Sequence, residues 1–211
     1  MNININRGIF LTIEGVDGCG KSTQSVLLTR WLEDFTGHET IKTFEPGGWH
    51  GGSFLRNFIL QEDFSPKGEL FLFLADRAEH LSQIIIPALN SGKNIICERY
   101  NDSTEAYQAG GHDLDRDQVK KIISACNFPE PDITILLSIS PKVASNRLQI
   151  RPGHDRFEAE GLEFMQKISD SYLKIAQENK ERIININVDE LSIIDTFNKI
   201  TSEIRSRWPS R

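Results

Sequence analysis

Ile9-Phe10-Leu11-Thr12-Ile13-Glu14 leads directly into Gly15-Val16-Asp17-Gly18-Cys19-Gly20-Lys21-Ser22, and a helix-like run continues from there. An apolar, β-branched stretch followed by G-x-x-x-x-G-K-[S/T] and a helix is the strand–loop–helix of a phosphate-binding loop. Each residue type has a physical reason. The glycines allow positive φ, so that successive backbone N–H groups curl around phosphate oxygens. The helix N-terminus adds the positive end of its dipole. Lys21 has the reach to contact β- and γ-phosphates, and the Ser22 hydroxyl suits Mg²⁺. Together with Thr23, the loop residues Gly15, Val16, Asp17, Gly18, Cys19, Gly20, Lys21 and Ser22 form the expected ATP-binding segment.

The motif alone leaves kinase, GTPase and ATPase open. A GTPase needs a base-reading Asn-Lys-x-Asp, and neither Asn-Lys pair fits: Asn198-Lys199 continues Ile200-Thr201, and Asn179-Lys180 continues Glu181-Arg182. An ATPase motor would normally need more chain and an Asp closing a second buried strand.

Outward from this loop the chain alternates. Short β-branched runs fall at 9–14, 40–44, 94–98, 132–138 and 182–187, separated by helix-like segments at about 21–35, 51–62, 65–91, 101–126, 141–151, 158–179 and 191–206. Ser65-Pro66 and Ser140-Pro141 each place a capping hydroxyl before a proline at the first helical position. Strands alternating with helices imply βαβ units, and hence an α/β fold: a three-layer α/β/α sandwich with about five parallel strands. Leu70-Phe71-Leu72-Phe73-Leu74 is apolar around a helix's whole circumference, which predicts a helix buried on every side. One face would meet the sheet, and the others a subunit partner, a ligand pocket or both.

The bulk properties narrow the class. With 211 residues, 38% of them hydrophobic and 26% charged, the chain suits a single globular domain over 1–211. Its apolar runs are too short to span a bilayer, and the N-terminal residues lack a signal-peptide pattern. Cys19, Cys97 and Cys126 are odd in number and widely spaced, which predicts free thiols in a reducing, cytoplasmic setting. Net charge is −6 with no run of Lys and Arg, arguing against nucleic acid as a partner. Any anion site must therefore be local.

Two places supply local charge. The buried run 94–98 ends Glu98-Arg99, and strand C-termini face the ligand crevice of an open parallel sheet. Glu98 could hold Mg²⁺ through water, and Arg99 could clamp a phosphoryl group bidentately. Arg147, Arg151 and Arg156 cluster around Arg151-Pro152-Gly153-His154-Asp155-Arg156, a helix-breaking polar turn that reads as a lid at about 147–158. Phosphoryl transfer is catalysed mainly by positioning and charge neutralisation, so arginines on a closing lid fit that chemistry.

The ordered signatures resemble the bacterial-type thymidylate kinase family from about Gly8 to the C-terminal helix. They are the loop extended over 14–24, Glu45-Pro46-Gly47-Gly48, the run from Ser65 to Arg77, the run from Glu98 to Gln108, and Asp155-Arg156-Phe157-Glu158. The resemblance implies a P-loop kinase that passes the γ-phosphoryl of ATP to dTMP with Mg²⁺, a step toward dTTP, usually as a homodimer. It implies that Phe73 stacks on thymine and Arg77 donates to a base carbonyl. Thr104 and Gln108 would read the base edge, and Tyr107 would pack under the deoxyribose. Asp17 would meet the 3′-hydroxyl, and Arg56 and Arg99 the monophosphate, with Glu45 and Ser103 completing the acceptor site. Lys21, Arg99, Arg151 and Arg156 would be catalytic, and Arg147 would join the ATP site. Gly18 stands where some members carry Arg, which implies that the catalytic arginine comes from the lid: Arg151 first, Arg156 second.

There are departures. Glu98 replaces a usual Asp, Phe44 replaces a frequent Arg before Glu-Pro-Gly-Gly, and Trp49-His50 replaces small residues. Two other readings remain open: a deoxynucleoside kinase, since Glu98-Arg99 also suits that family, and a non-catalytic nucleotide-binding protein on the same fold.

Overall fold

The computed structural model describes residues 8–149 and 161–207. Five parallel strands, β1 (Phe10–Glu14), β2 (Thr40–Phe44), β3 (Asn94–Glu98), β4 (Ile133–Ser138) and β5 (Ile183–Asn187), lie in the order β2-β3-β1-β4-β5. β1 and β3 are buried throughout and read as continuous apolar runs, whereas the edge strands β2 and β5 include exposed residues. Register pairs Phe10 with Ile95 and Leu11 with both Ile96 and Ile133. Successive residues therefore feed opposite layers. Phe10, Ile95 and Cys97 pack on Leu81, Ile85 and Leu89, whereas Leu11, Ile13 and Ile96 pack with Leu28, Leu32, Ile200 and Ile204.

The helices on these layers are α1 (Lys21–Thr36), α2 (Gly52–Gln61), α3 (Pro66–His80), α4 (Ile86–Asn90), α5 (Asn101–Thr104), α6 (Arg116–Ala125), α7 (Pro141–Leu148), α8 (Gly161–Glu178) and α9 (Ile193–Arg207). Pro66 and Pro141 open α3 and α7 as expected, but the Ser140 hydroxyl does not cap α7; it donates to Asp189 Oδ1 at 3.0 Å instead. The Ser65 hydroxyl accepts from Gly68 N at 3.2 Å with Pro66 at the first turn, and Asp115 accepts from Gln118 N at 2.8 Å.

Two helix expectations need correction. The segment 65–91 is continuous but widens into a π-helical turn (Leu81–Ile85), where Ile86 N reaches Leu81 O. Pro87 has no N–H for the carbonyl of Gln83 and crowds it, so the turn opens just ahead. This helix is also not buried all round: Leu70 and Leu74 are buried, Phe73 is half-buried, and Phe71 is 56% exposed. The segment 101–126 is not one helix. α5 passes into a π-helical stretch (Glu105–Gly111), then a break, then α6. Gly110 and Gly111 permit this stretch to lie close to α8, since a Cβ on them would come within 2.5 Å of Ser171 and 2.6 Å of Phe164.

Candidate active site

β1 and β3 are central and parallel, so their C-terminal ends open together on one edge of the sheet, the position for a ligand crevice. The loop after β1 adopts the required conformation, with φ of 137° at Gly15, 82° at Gly18 and 100° at Gly20. At Gly18 a side chain has no room: a Cβ would lie 2.7 Å from the backbone oxygen of Ala144 in α7. Lys21 Nζ donates to Gly15 O (2.8 Å) and Val16 O (3.0 Å) and lies 3.5 Å from Asp17 Oδ1.

Two cavities meet at this loop. The first, of about 440 Å³, gathers Asp17, Glu45, Arg56, Phe73, Arg77, Arg99, Ser103, Thr104, Tyr107 and Gln108, together with Glu98. All of the expected acceptor residues thus share one wall system. The second, of about 490 Å³, is lined by the loop from Asp17 to Gln24, Thr23 included, by Arg147, and by the chain after β5 from Val188 to Ile193. Arg147 Nη2 donates to Val188 O at 2.9 Å, which ties α7 to that chain. Asp17, Lys21 and Ser22 line both cavities. Arg151 and Arg156, with most of the expected lid, lie outside the described residues.

In the first cavity Arg99 is held at φ 68°, a left-handed value that non-glycine residues rarely take, with its N–H on Ile13 O. Its guanidinium stacks 4.9 Å over Tyr107 and its Nη2 donates to Asp17 Oδ1 at 2.6 Å. Burial alone would raise the Asp17 carboxyl, but Arg99 and Lys21 beside it hold it well below the usual carboxylate range. Deeper in, Arg77 is 2% exposed. It donates through Nε to Glu45 (2.7 Å) and through Nη1 to Asn101 (3.0 Å) and Thr104 (2.9 Å). Glu45 also meets His80 Nδ1 at 3.0 Å, and His80 Nε2 meets Thr43 Oγ1 at 2.7 Å. Arg56 donates to Pro46 O at 2.9 Å and stacks 5.3 Å over Phe44, so the aromatic in place of the frequent arginine holds a neighbouring one. Trp49 gains a role too. Its indole N–H donates to Asp76 Oδ1 at 2.7 Å, and the same carboxylate receives the N–H of Gly47 at 2.9 Å, pinning the Glu-Pro-Gly-Gly turn to α3.

Glu98 lies beside the loop. Its two oxygens accept from Ser22 Oγ and Ser25 Oγ, each at 2.6 Å, and Lys42 Nζ lies 3.5 Å away. A serine hydroxyl and a carboxylate in contact are two hard oxygen donors, which fit Mg²⁺. The longer Glu98 side chain is held by Ser25, one helical turn along α1 from Ser22.

Sequence reasoning missed several residues. Lys42 and Leu60 line the first cavity, and Gln24 lines the second, where its Nε2 donates to Ile193 O at 2.9 Å. Glu14 is fully buried under the site and accepts from Tyr100 N (2.7 Å), Ser103 Oγ (2.5 Å) and Tyr172 OH (3.1 Å). Burial first, and then the Asp102 carboxylate, push its carboxyl up. The position of Glu14 at the end of a buried strand beside the glycine loop was the available signal.

A phosphate loop that forms a wall of two separate cavities, one of them rich in arginine and backed by aromatic rings, defines a P-loop nucleotide kinase. The model of the thymidylate kinase family matches residues 13–200. The chain is 40% identical over 214 residues to a thymidylate kinase of Maridesulfovibrio salexigens, covering 96% of each chain. It is 38% identical over 216 residues to that of Leifsonia xyli subsp. xyli, covering 100% of both. The crystal structure of thymidylate kinase from Ehrlichia chaffeensis superposes with a TM-score of 0.77 at 29% identity, over 94% of this chain and 99% of that one. The chain belongs to the thymidylate kinase family.

Proposed function

We infer that the protein transfers the γ-phosphoryl group of ATP to dTMP, giving dTDP and ADP. The observation that carries this is the shared wall: Asp17, Lys21 and Ser22 belong to both cavities, so two phosphate-bearing ligands would meet end to end there. The second cavity receives ATP, with the loop amides and Lys21 on its phosphates and Arg147 at its edge. The first receives dTMP. Phe73 offers a face for the base, and Arg77, Thr104 and Gln108 offer polar groups for its edge. Tyr107 packs below the sugar beside Asp17, and Arg56 and Arg99 offer charge for the monophosphate.

Transfer is direct and in line, because the acceptor is already an anionic nucleophile and needs no covalent enzyme intermediate. Lys21 and Arg99 offset the negative charge that spreads over the phosphoryl oxygens. Arg151 and Arg156 are proposed to add charge from a lid at 147–158. Ser22 and Glu98 would hold Mg²⁺, which when bound supplies positive charge to the phosphate oxygens. The exposed aromatic faces of α2 and α3, with Phe54 at 77% and Phe71 at 56% exposure, support a homodimer. No helix among the described residues is long and apolar enough to cross a membrane. This, with the free cysteines and net charge of −6, supports a cytoplasmic enzyme without nucleic-acid partners.

The test is ADP release from ATP and Mg²⁺ with dTMP, dUMP, dCMP, AMP, GMP and thymidine as acceptors. Marked preference for dTMP is expected. Preference for thymidine would move the protein to the nucleoside kinases, and ATP binding without turnover would indicate a regulatory role.

A further inference from the structure

Behind the base-facing wall of the first cavity sits a carboxylate that belongs to the lining of neither of these two cavities. Glu69, in the first turn of α3, is 1% exposed. Its Oε1 accepts from Gln108 Nε2 at 2.7 Å, and His112 Nε2 lies 3.2 Å from the same oxygen. A primary amide has one donating and one accepting end, and either could face a ligand. An ionised carboxylate only accepts. The amide nitrogen of Gln108 must therefore turn to Glu69, which leaves the carbonyl oxygen of Gln108, a residue of the cavity lining, toward the cavity.

The neighbouring groups are polarised by the same reasoning. Arg77, itself fixed by Glu45 and Asn101, can only donate, and it donates to Thr104 Oγ1 at 2.9 Å, so the Thr104 hydroxyl hydrogen remains available to a ligand. The wall thus offers an acceptor from Gln108 and donors from Thr104 and Arg77. A thymine or uracil edge is complementary, with a donating N3–H flanked by two carbonyl acceptors. A cytosine edge is not: its N3 is a bare acceptor and its exocyclic amine donates.

We propose that Glu69 is a positioning residue that locks the Gln108 amide with its oxygen toward the ligand, and thereby sets the preference for a pyrimidine with an N3–H over one with a bare N3. The proposal rests on the reading of this cavity as the dTMP site.

In Glu69→Gln the new side chain can donate or accept, so Gln108 is free to turn. The ratio of kcat/KM for dTMP over dCMP is expected to fall by about 10-fold or more, because the discrimination comes from a polar group that only one ligand can satisfy. KM for ATP should stay unchanged. In a Gln108→Leu background the same substitution should leave the ratio where it is, since Glu69 acts through that amide. Glu69→Asp keeps the charge and withdraws the oxygen by one methylene. It should lower the ratio too, and serves if Glu69→Gln does not fold. Wild-type protein that prefers dTMP, with an unmoved ratio in the folded variants, overturns the role of Glu69 alone. Wild-type protein that does not phosphorylate dTMP overturns the reading of the cavity, and the proposal with it.

Discussion

At the scale of single residues the site is a set of charges held in place by other charges. Lys21 is one of the three residues that both cavities share, and the loop carbonyls already orient it. Lys21→Ala should lower turnover by at least about 10³-fold with circular dichroism unchanged; retained turnover would remove the loop from the mechanism. Asp17 gives a pH signature. Its folded value lies below the unfolded one of about 3.9, so its contribution to stability is complete above that value and is lost as pH falls toward the folded value. Below about pH 4 the unfolded chain binds one more proton at this position, and wild-type stability should fall more steeply than that of Asp17→Asn. Urea midpoints across the acid range would read the difference, and parallel profiles would mean that Asp17 is not held ionised by Arg99 and Lys21. Most residues of the two cavity linings were legible because the ordered motifs carry them. Lys42 in the first lining and Glu69 behind it were not. Lys42 reads as a solvent lysine on an edge strand, and Glu69 as an ordinary first-turn acid; only folding brings the one to Glu98 and the other to Gln108.

At the scale of elements, the short β-branched apolar runs and their alternation with longer helix-like segments made all five strands and most helices readable from the sequence. What failed was continuity. The reading of 101–126 as one helix passed over Gly110-Gly111-His112-Asp113, a local break, and the close approach of α8 at the two glycines is a tertiary constraint that local propensity does not carry. The all-round apolar run 70–74 likewise could not say which face meets solvent. The contact between the phosphate loop and α7 is an element-scale device with a test. Gly18→Ala puts a Cβ 2.7 Å from Ala144 O at φ 82°. It should cost on the order of 1–3 kcal/mol in stability and raise KM for ATP more than KM for dTMP. Equal effects on both constants would place the strain elsewhere.

At the scale of the whole molecule, the α3 surface that is not turned to the sheet or the cavity remains exposed at Phe71. If the homodimer forms there, Phe71→Asp should yield a monomer by light scattering while ADP release per chain stays measurable; an unchanged mass would move the interface to another surface. The family fold places Phe73, two residues on from Phe71, in the cavity lining, so the same helix would serve partner and ligand.

With the two cavities filled as proposed, their common wall would make the two ligands thermodynamically dependent on each other. Phosphates arriving from either side would draw on the same ammonium and face the same Asp17 carboxylate, so each would change the field the other binds in. Linkage then imposes reciprocity: whatever factor ATP applies to the affinity for dTMP, dTMP applies to the affinity for ATP. Direct transfer, as proposed, needs both substrates aboard before either product leaves, and initial-rate lines at several fixed dTMP concentrations should then intersect rather than run parallel.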